Sequence, residues 1–187
     1  MSKLILASTS PTRRALLDAA GVVYQARAPQ FEEVAPPGLS PSEVASFLAY
    51  GKAQAAQQPN ADEIIIGADQ VLDLDGVAIG KYPNAQEARR GLATLSGRAH
   101  WLHTGVAILW SGTPAAQREE RFVVSTQLVM HSLSDAELDA YIATNEWEGC
   151  AGGYRIEGRG ACLFAAIHGD YFNILGLPLL QVLSTVR

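Results

Sequence analysis

Residues 64–81 read Ile64-Ile65-Ile66-Gly67-Ala68-Asp69-Gln70-Val71-Leu72-Asp73-Leu74-Asp75-Gly76-Val77-Ala78-Ile79-Gly80-Lys81. The apolar run ends in Gly-Ala, and an acid follows at once. The pattern predicts a buried strand over Glu63–Ala68 that delivers Asp69 at its carboxyl end, where α/β proteins commonly build their sites. Asp75-Gly76 then predicts a hairpin, and Lys81 follows Gly80. One acid and one base thus come from two ends of a single β unit. An acid near a lysine suits phosphate chemistry: the acid can hold a metal or activate water, and the lysine can neutralise phosphate oxygens.

Working outward, Leu4–Ala7 reads as a short buried strand and Thr12–Ala20 as an amphipathic helix with Leu16 and Leu17 inward. Gly21 is its expected C-cap, and Val22–Ala28 is a second extended run. Ser40-Pro41-Ser42-Glu43 is a capping box with proline at the first helical position; it opens a helix to about Gln57. Asn84 with Glu87 caps another helix, ending near Leu95-Ser96-Gly97. His100–Leu109 and Arg121–Met130 are long extended runs expected to pair antiparallel, joined by the polar stretch Ser111–Glu120. Ser134 with Glu137 starts a helix to about Thr144, Gly149–Gly160 is glycine-rich, Ala161–Ile167 reads as a strand, and Pro178 opens a short final helix. Early alternation of strands and helices with an antiparallel pair in mid-chain predicts a mixed-sheet α/β fold.

The chain has 187 residues, enough for one domain, and residues 1–187 are read as a single unit. An apolar share of 48% with 18% charged residues fits a globular protein with a substantial core. No stretch approaches the roughly 20 apolar residues of a membrane span. Met1–Ala7 is too short for a signal peptide, and Cys150 and Cys162 make no disulfide framework; a cytoplasmic protein with reduced thiols is expected. A net charge of -5 argues against broad nucleic-acid binding, though not against a small anion held by a few local cations.

Ser8-Thr9-Ser10-Pro11-Thr12-Arg13-Arg14 joins a strand to a helix start, where free N–H groups and the dipole favour anions. Ser8, Ser10 and Arg13 add donors for phosphate oxygens. A plain helix cap with solvated arginines is the alternative. The glycines and lysine of a P-loop are missing.

Taken together, these residues resemble the Maf family of nucleoside-triphosphate pyrophosphatases. The matching motifs are Leu6–Arg14, Glu32-Glu33, Lys52 in Ala49–Ala53, Gly67-Ala68-Asp69-Gln70, Gly80-Lys81, and Leu95-Ser96-Gly97-Arg98 before His100. Ala151–Gly158 and Gly169–Leu179 complete the set. They run in family order from Leu4 to Leu179. The resemblance implies metal-dependent hydrolysis between the α- and β-phosphates, with Mg²⁺ or Mn²⁺. It also implies two lobes around a central cleft, like the inosine-triphosphate pyrophosphatases, and a homodimer. By the same resemblance Glu32 and Asp69 hold metal or activate water, Arg13, Lys52 and Lys81 bind the triphosphate, and Ser8 and Ser10 line the phosphate site. Glu33 is the alternative to Glu32.

Cleavage at the α-phosphate needs an aligned water and charge neutralisation more than covalent help. Asp69 is the candidate base, with Lys52 and Lys81 beside it. Read alone, Lys52 is a solvated helix residue, and Asp73 and Asp75 decorate the hairpin. For the base, family members resembling dTTP/UTP enzymes carry arginine, threonine and glutamine where this chain has Thr12, Gln70 and Glu157. The branch resembling 7-methylguanosine-triphosphate enzymes carries glutamine and glutamate at the last two positions, as here. A carboxylate accepts both N1–H and N2–H₂ of a guanine edge, so Gln70 and Glu157 point to 7-methyl-GTP or another modified nucleotide. dTTP or UTP is the alternative. A nucleotide-binding regulator of cell division without turnover, and a phosphate-releasing phosphatase, are the other classes. His100 and His103 belong to no metal motif, and Trp101, Trp110 and Trp147 read as packing or rim residues.

Overall fold

The computed structural model describes residues 2–59, 61–112 and 118–187. In chain order these form β1 (Lys3–Ala7), α1 (Pro11–Ala19), β2 (Gln25–Ala26), α2 (Pro41–Ala55), β3 (Glu63–Leu74), β4 (Val77–Ile79) and α3 (Ala85–Leu95). There follow β5 (Ala99–Ser111), β6 (Arg118–Met130), α4 (Asp135–Ile142), β7 (Phe164–His168), α5 (Tyr171–Ile174) and α6 (Leu179–Val186). Among the described residues, seven strands make one sheet in the order β2-β1-β3-β5-β6-β7, with β4 paired to β3. β1 runs parallel to β2 and β3, and the other pairings are antiparallel. The sheet is mixed and the class is α/β, as the alternation of elements implied.

Local chemistry accounts for the element starts. Ser40 and Ser134 each accept from the backbone N–H three residues on, while Glu43 and Glu137 reach back to the cap N–H. Asp75 and Gly76 both take positive φ (54° and 82°), as a tight hairpin between right-twisted strands requires. The Asp73 carboxylate receives the Gly76 N–H at 2.7 Å and fixes the turn.

The long strands β3, β5 and β6 run through two cores. At one end, Leu6, Leu17, Ile66, Val106, Ile108, Leu177 and Val182 pack beneath α1 and α6. On the opposite face of that end, Ile5, Ala53, Ile65, Ala107 and Leu109 pack beneath α2. At the other end, Leu72, Leu92, Leu95, Leu102, Leu128, Met130, Leu138 and Trp147 form a separate core with α3 and α4. α2 lies very close to the sheet because Gly67 and Gly105 lack side chains. A Cβ there would stand 2.2 Å from the Ala49 carbonyl oxygen and 2.3 Å from that of Ala45. No helix among the described residues is long and apolar enough to cross a membrane.

The structure corrects several boundaries. β3 does not end at Ala68; it continues through Asp69 and Gln70 to Leu74. The polar pair reads as an end because a strand interior is expected to be apolar where both faces are covered. What does end there is its neighbour. β1 stops at Ala7, opposite Gly67, and β4 pairs only from Leu72 onward. Residues 68–71 of β3 therefore face a gap along that edge with no strand partner among the described residues. The extended run Val22–Ala28 shrinks to Gln25–Ala26. Arg159–Leu163 is a 3-10 turn, so the last strand starts at Phe164 rather than Ala161. Of the linker expected at Ser111–Glu120, Ser111 belongs to β5 and Arg118–Glu120 to β6, while residues 113–117 lie outside the described residues.

Candidate active site

The gap in the sheet edge is where the polar side chains converge. At its β1 end, the Ser8 hydroxyl accepts from the Ser10 N–H at 3.1 Å, and Ser10 caps α1 by accepting from the Arg13 N–H. Arg13 folds back from the first turn. Its Nε donates to the Gly176 carbonyl at 2.6 Å and its Nη1 to Ser8 Oγ at 3.4 Å. Burial pulls the Arg13 guanidinium below its ordinary pKa, while Asp69 and Glu33 pull the other way. Thr12 lies beside it, half-buried on the same turn.

Lys52 comes from α2, and the close approach of that helix over Gly67 carries it to the gap. It is only 7% exposed, as is Asp69. Its ammonium donates to Asp69 Oδ1 at 2.5 Å and lies 3.0 Å from Glu33 Oε1. Burial raises the Asp69 carboxyl above the ordinary aspartate range, although Lys52 and Arg13 oppose the shift; Glu33 adds to it.

Glu33, rather than Glu32, is the acid that reaches Lys52. Glu32 is exposed and forms no side-chain hydrogen bond or ion pair among the described residues. The loop's register is set by Phe31, whose ring sits on Gly51 of α2: a Cβ on Gly51 would lie 2.2 Å from the ring's Cζ. With the ring seated there, the side chain two positions on turns to Lys52. Glu33 stays 58% exposed, so its carboxylate is shared between the lysine and solvent. Glu33 and Asp69 thus bring two carboxylates onto the Lys52 ammonium, and no group of three or more metal-ligating side chains occurs among the described residues.

Lys81 lies just past β4, at the other end of the gap, and is exposed. Its neighbours hold it. The Gly80 carbonyl accepts from the Gly152 N–H at 3.2 Å, and the Tyr82 ring lies against Gly91 and Gly153. Lys81 lends positive potential to Cys150, which Arg155 also faces. Glu157 pairs with Arg155 at 3.6 Å.

Gln70 goes elsewhere. As the residue after Asp69 on a regular strand it points to the opposite face. Its amide donates to the Asn173 carbonyl at 2.7 Å, the Ile174 carbonyl at 3.2 Å and Thr104 Oγ1 at 3.2 Å. Asn173, fully buried, donates in turn to the Leu102 carbonyl and Thr126 Oγ1. This network pins α5 to the sheet and so holds the segment leading to the Gly176 carbonyl that Arg13 uses. No contact joins Gln70 to Glu157 among the described residues. The structure brings together Ser8, Ser10, Arg13, Lys52, Asp69 and Glu33; it sets Gln70 behind the sheet and Glu157 on the glycine-rich loop. Sequence reasoning missed Thr104, Thr126 and Asn173, which are buried polar residues in otherwise apolar surroundings.

A family profile described as Maf-like protein matches residues 3–187. A dTTP/UTP pyrophosphatase of Bacillus cereus is 37% identical over all of this chain and 90% of its own length. One from Bacillus pumilus is 39% identical over 96% of its length. Among solved structures, a HAM1 protein from Coxiella burnetii aligns with all of this chain and 98% of its own at 15% identity, with a TM-score of 0.49. With its profile matched from residue 3 to the last and relatives alike end to end, the chain belongs to the Maf-like protein family.

Proposed function

We propose that this protein hydrolyses a nucleoside triphosphate between its α- and β-phosphates, releasing a nucleoside monophosphate and pyrophosphate. The observation that carries the reading is the buried Asp69 carboxyl, 2.5 Å from Lys52 and within the fields of Arg13 and Glu33, at a gap in the sheet edge. Arg13, Lys52 and Lys81 supply fixed positive charge for the triphosphate, and the Ser8 hydroxyl and the α1 N-terminus supply donors. Asp69 takes the proton of the attacking water, a role suited to a carboxyl raised by burial. Glu33, with Asp69, would hold the divalent ion, and Glu32, the carboxylate the family resemblance prefers, is the alternative. Bound there, Mg²⁺ or Mn²⁺ would neutralise phosphate charge that the side chains leave uncompensated.

For the base, the expectation of 7-methyl-GTP rested on Gln70 and Glu157 acting together. Gln70 has its amide hydrogens committed to backbone carbonyls, which removes half of that argument. We therefore place dTTP and UTP first, in line with the activity for which the relatives are named. 7-Methyl-GTP stays the second reading because Glu157 keeps a half-exposed carboxylate beside the loop of Lys81. A cytoplasmic homodimer belongs to the same proposal, checked by sedimentation.

The test is product analysis with dTTP, UTP and 7-methyl-GTP in Mg²⁺ and in Mn²⁺. Pyrophosphate is expected. Orthophosphate would make the protein a phosphatase, and nucleotide binding without turnover would make it a regulator.

A further inference from the structure

We infer that Tyr154, through the bond of its hydroxyl to His100, is a positioning residue for Lys81. The inference rests on the triphosphate reading above and adds to it the device that aims one of the cations. Lys81 is exposed and belongs to no helix or strand, so no element of its own directs it. Both of its chain neighbours are held by the glycine-rich loop instead. The Gly152 N–H donates to the Gly80 carbonyl at 3.2 Å. The Tyr82 ring lies on Gly153, where a Cβ would stand 2.8 Å from ring Cδ2. Gly152 and Gly153 take positive φ, 70° and 72°, which lets the loop backbone come this close.

Two glycines in a row have the most conformational freedom to lose, so their shape needs an outside anchor. Tyr154 follows at once and supplies it. It is 5% exposed, and its ring meets Phe164 edge-on with 4.8 Å between centroids. Its hydroxyl lies 2.8 Å from Nε2 of His100, which sits on β5 and is 1% exposed. Burial pulls the His100 imidazole down to about 4 and pushes the Tyr154 phenol well up. Both are therefore neutral near pH 7. The phenol donates to Nε2, and the imidazole hydrogen sits on Nδ1, which has no partner among the described residues. A buried N–H without a partner is costly, and two apolar rings would fill the same space without that cost. The pair gives the loop a direction rather than giving the core stability.

The test is a double-mutant cycle between Tyr154→Phe and Lys81→Ala, read as KM and kcat for dTTP and as the Kd of tripolyphosphate by calorimetry. Tyr154→Phe keeps the ring and removes the bond. It should raise KM and Kd about two- to tenfold, the range for one hydrogen bond, with kcat unchanged. In the Lys81→Ala background the same substitution should change neither constant. Equal effects in the two backgrounds, or no effect beside an intact Lys81, overturn the inference. The double variant His100→Phe/Tyr154→Phe replaces the whole pair by apolar rings and serves if the single variant folds poorly. Its Tm should match the wild type while KM stays raised. A KM that returns to the wild-type value together with Tm shows a purely structural pair and overturns the inference. Product analysis separates the two readings. If the wild type binds tripolyphosphate without releasing pyrophosphate from dTTP, and the cycle still couples Tyr154 to Lys81 in Kd, hydrolysis falls and the positioning stands.

Discussion

Glu63 and Asp69 lie on the same strand, each buried against a cation, and burial has opposite consequences for them. Glu63 is gripped by the fork of Arg27, with contacts of 2.9 and 2.7 Å, and the same guanidinium donates to the Ala56 carbonyl. That grip holds the Glu63 carboxyl below the ordinary glutamate range despite burial. Asp69 receives one contact from an ammonium that it shares with Glu33, and burial wins. A planar fork satisfies both oxygens of its partner; a point charge does not. The first pair is closed and holds β3 to the strand–loop segment that follows β2. The second is open, with one ammonium divided between two carboxylates.

The sharpest way to break this contrast is Asp69→Asn. Turnover should fall by ~10²–10⁴, the scale for removing a general base, while the melting temperature holds or rises, because the substitution removes a buried charge the fold compensates poorly. A large loss of stability would show that the pair is structural after all. Glu63→Gln should do the reverse. Leaving Arg27 buried without its anion costs about 3 kcal/mol of stability by denaturant titration, and kcat of the folded fraction should stay unchanged.

The smallest effect is in pH. Above the ordinary carboxylate range the Arg27–Glu63 pair contributes in full, and its contribution disappears as pH falls through the lowered value of Glu63. In the metal-free protein Asp69 runs the other way. Between its ordinary and its raised value the folded state holds more protons than the unfolded state, so this residue adds stability as pH falls. Urea titrations of the wild type and Asp69→Asn across that window should diverge with this sign. Added Mg²⁺ should favour the charged carboxylate and move the acid limb of kcat/KM to lower pH.

How far the sequence carried the reading can be seen in particular residues. The helix starts at Ser40, Asn84 and Ser134 and the Asp75-Gly76 turn were legible because each depends on neighbours within four positions. Asp69 was found for a partly mistaken reason. It was read as a strand end, but it sits inside a longer strand whose neighbour stops, and no local pattern in β3 records where β1 runs out. Glu33 could not be told from Glu32, since the loop has no periodicity and its register comes from Phe31 meeting a helix about twenty positions away. The partners of Gln70, the carbonyls of Asn173 and Ile174, lie 103 and 104 positions along the chain, too far for any local pattern to show them.

The seat of Phe31 on Gly51 also sets a trap for anyone trying to make this protein more heat-resistant. A glycine inside a helix is an early target for replacement by alanine, which gains about 1 kcal/mol from helix propensity alone. At Gly51 the new methyl would need the space the ring occupies, 2.2 Å from Cζ. The ring would leave, and the loop that presents Glu33 to Lys52 would leave with it. The gain in helix propensity would be set against about 1–3 kcal/mol of overpacking at the ring and against the placement of Glu33 beside Lys52.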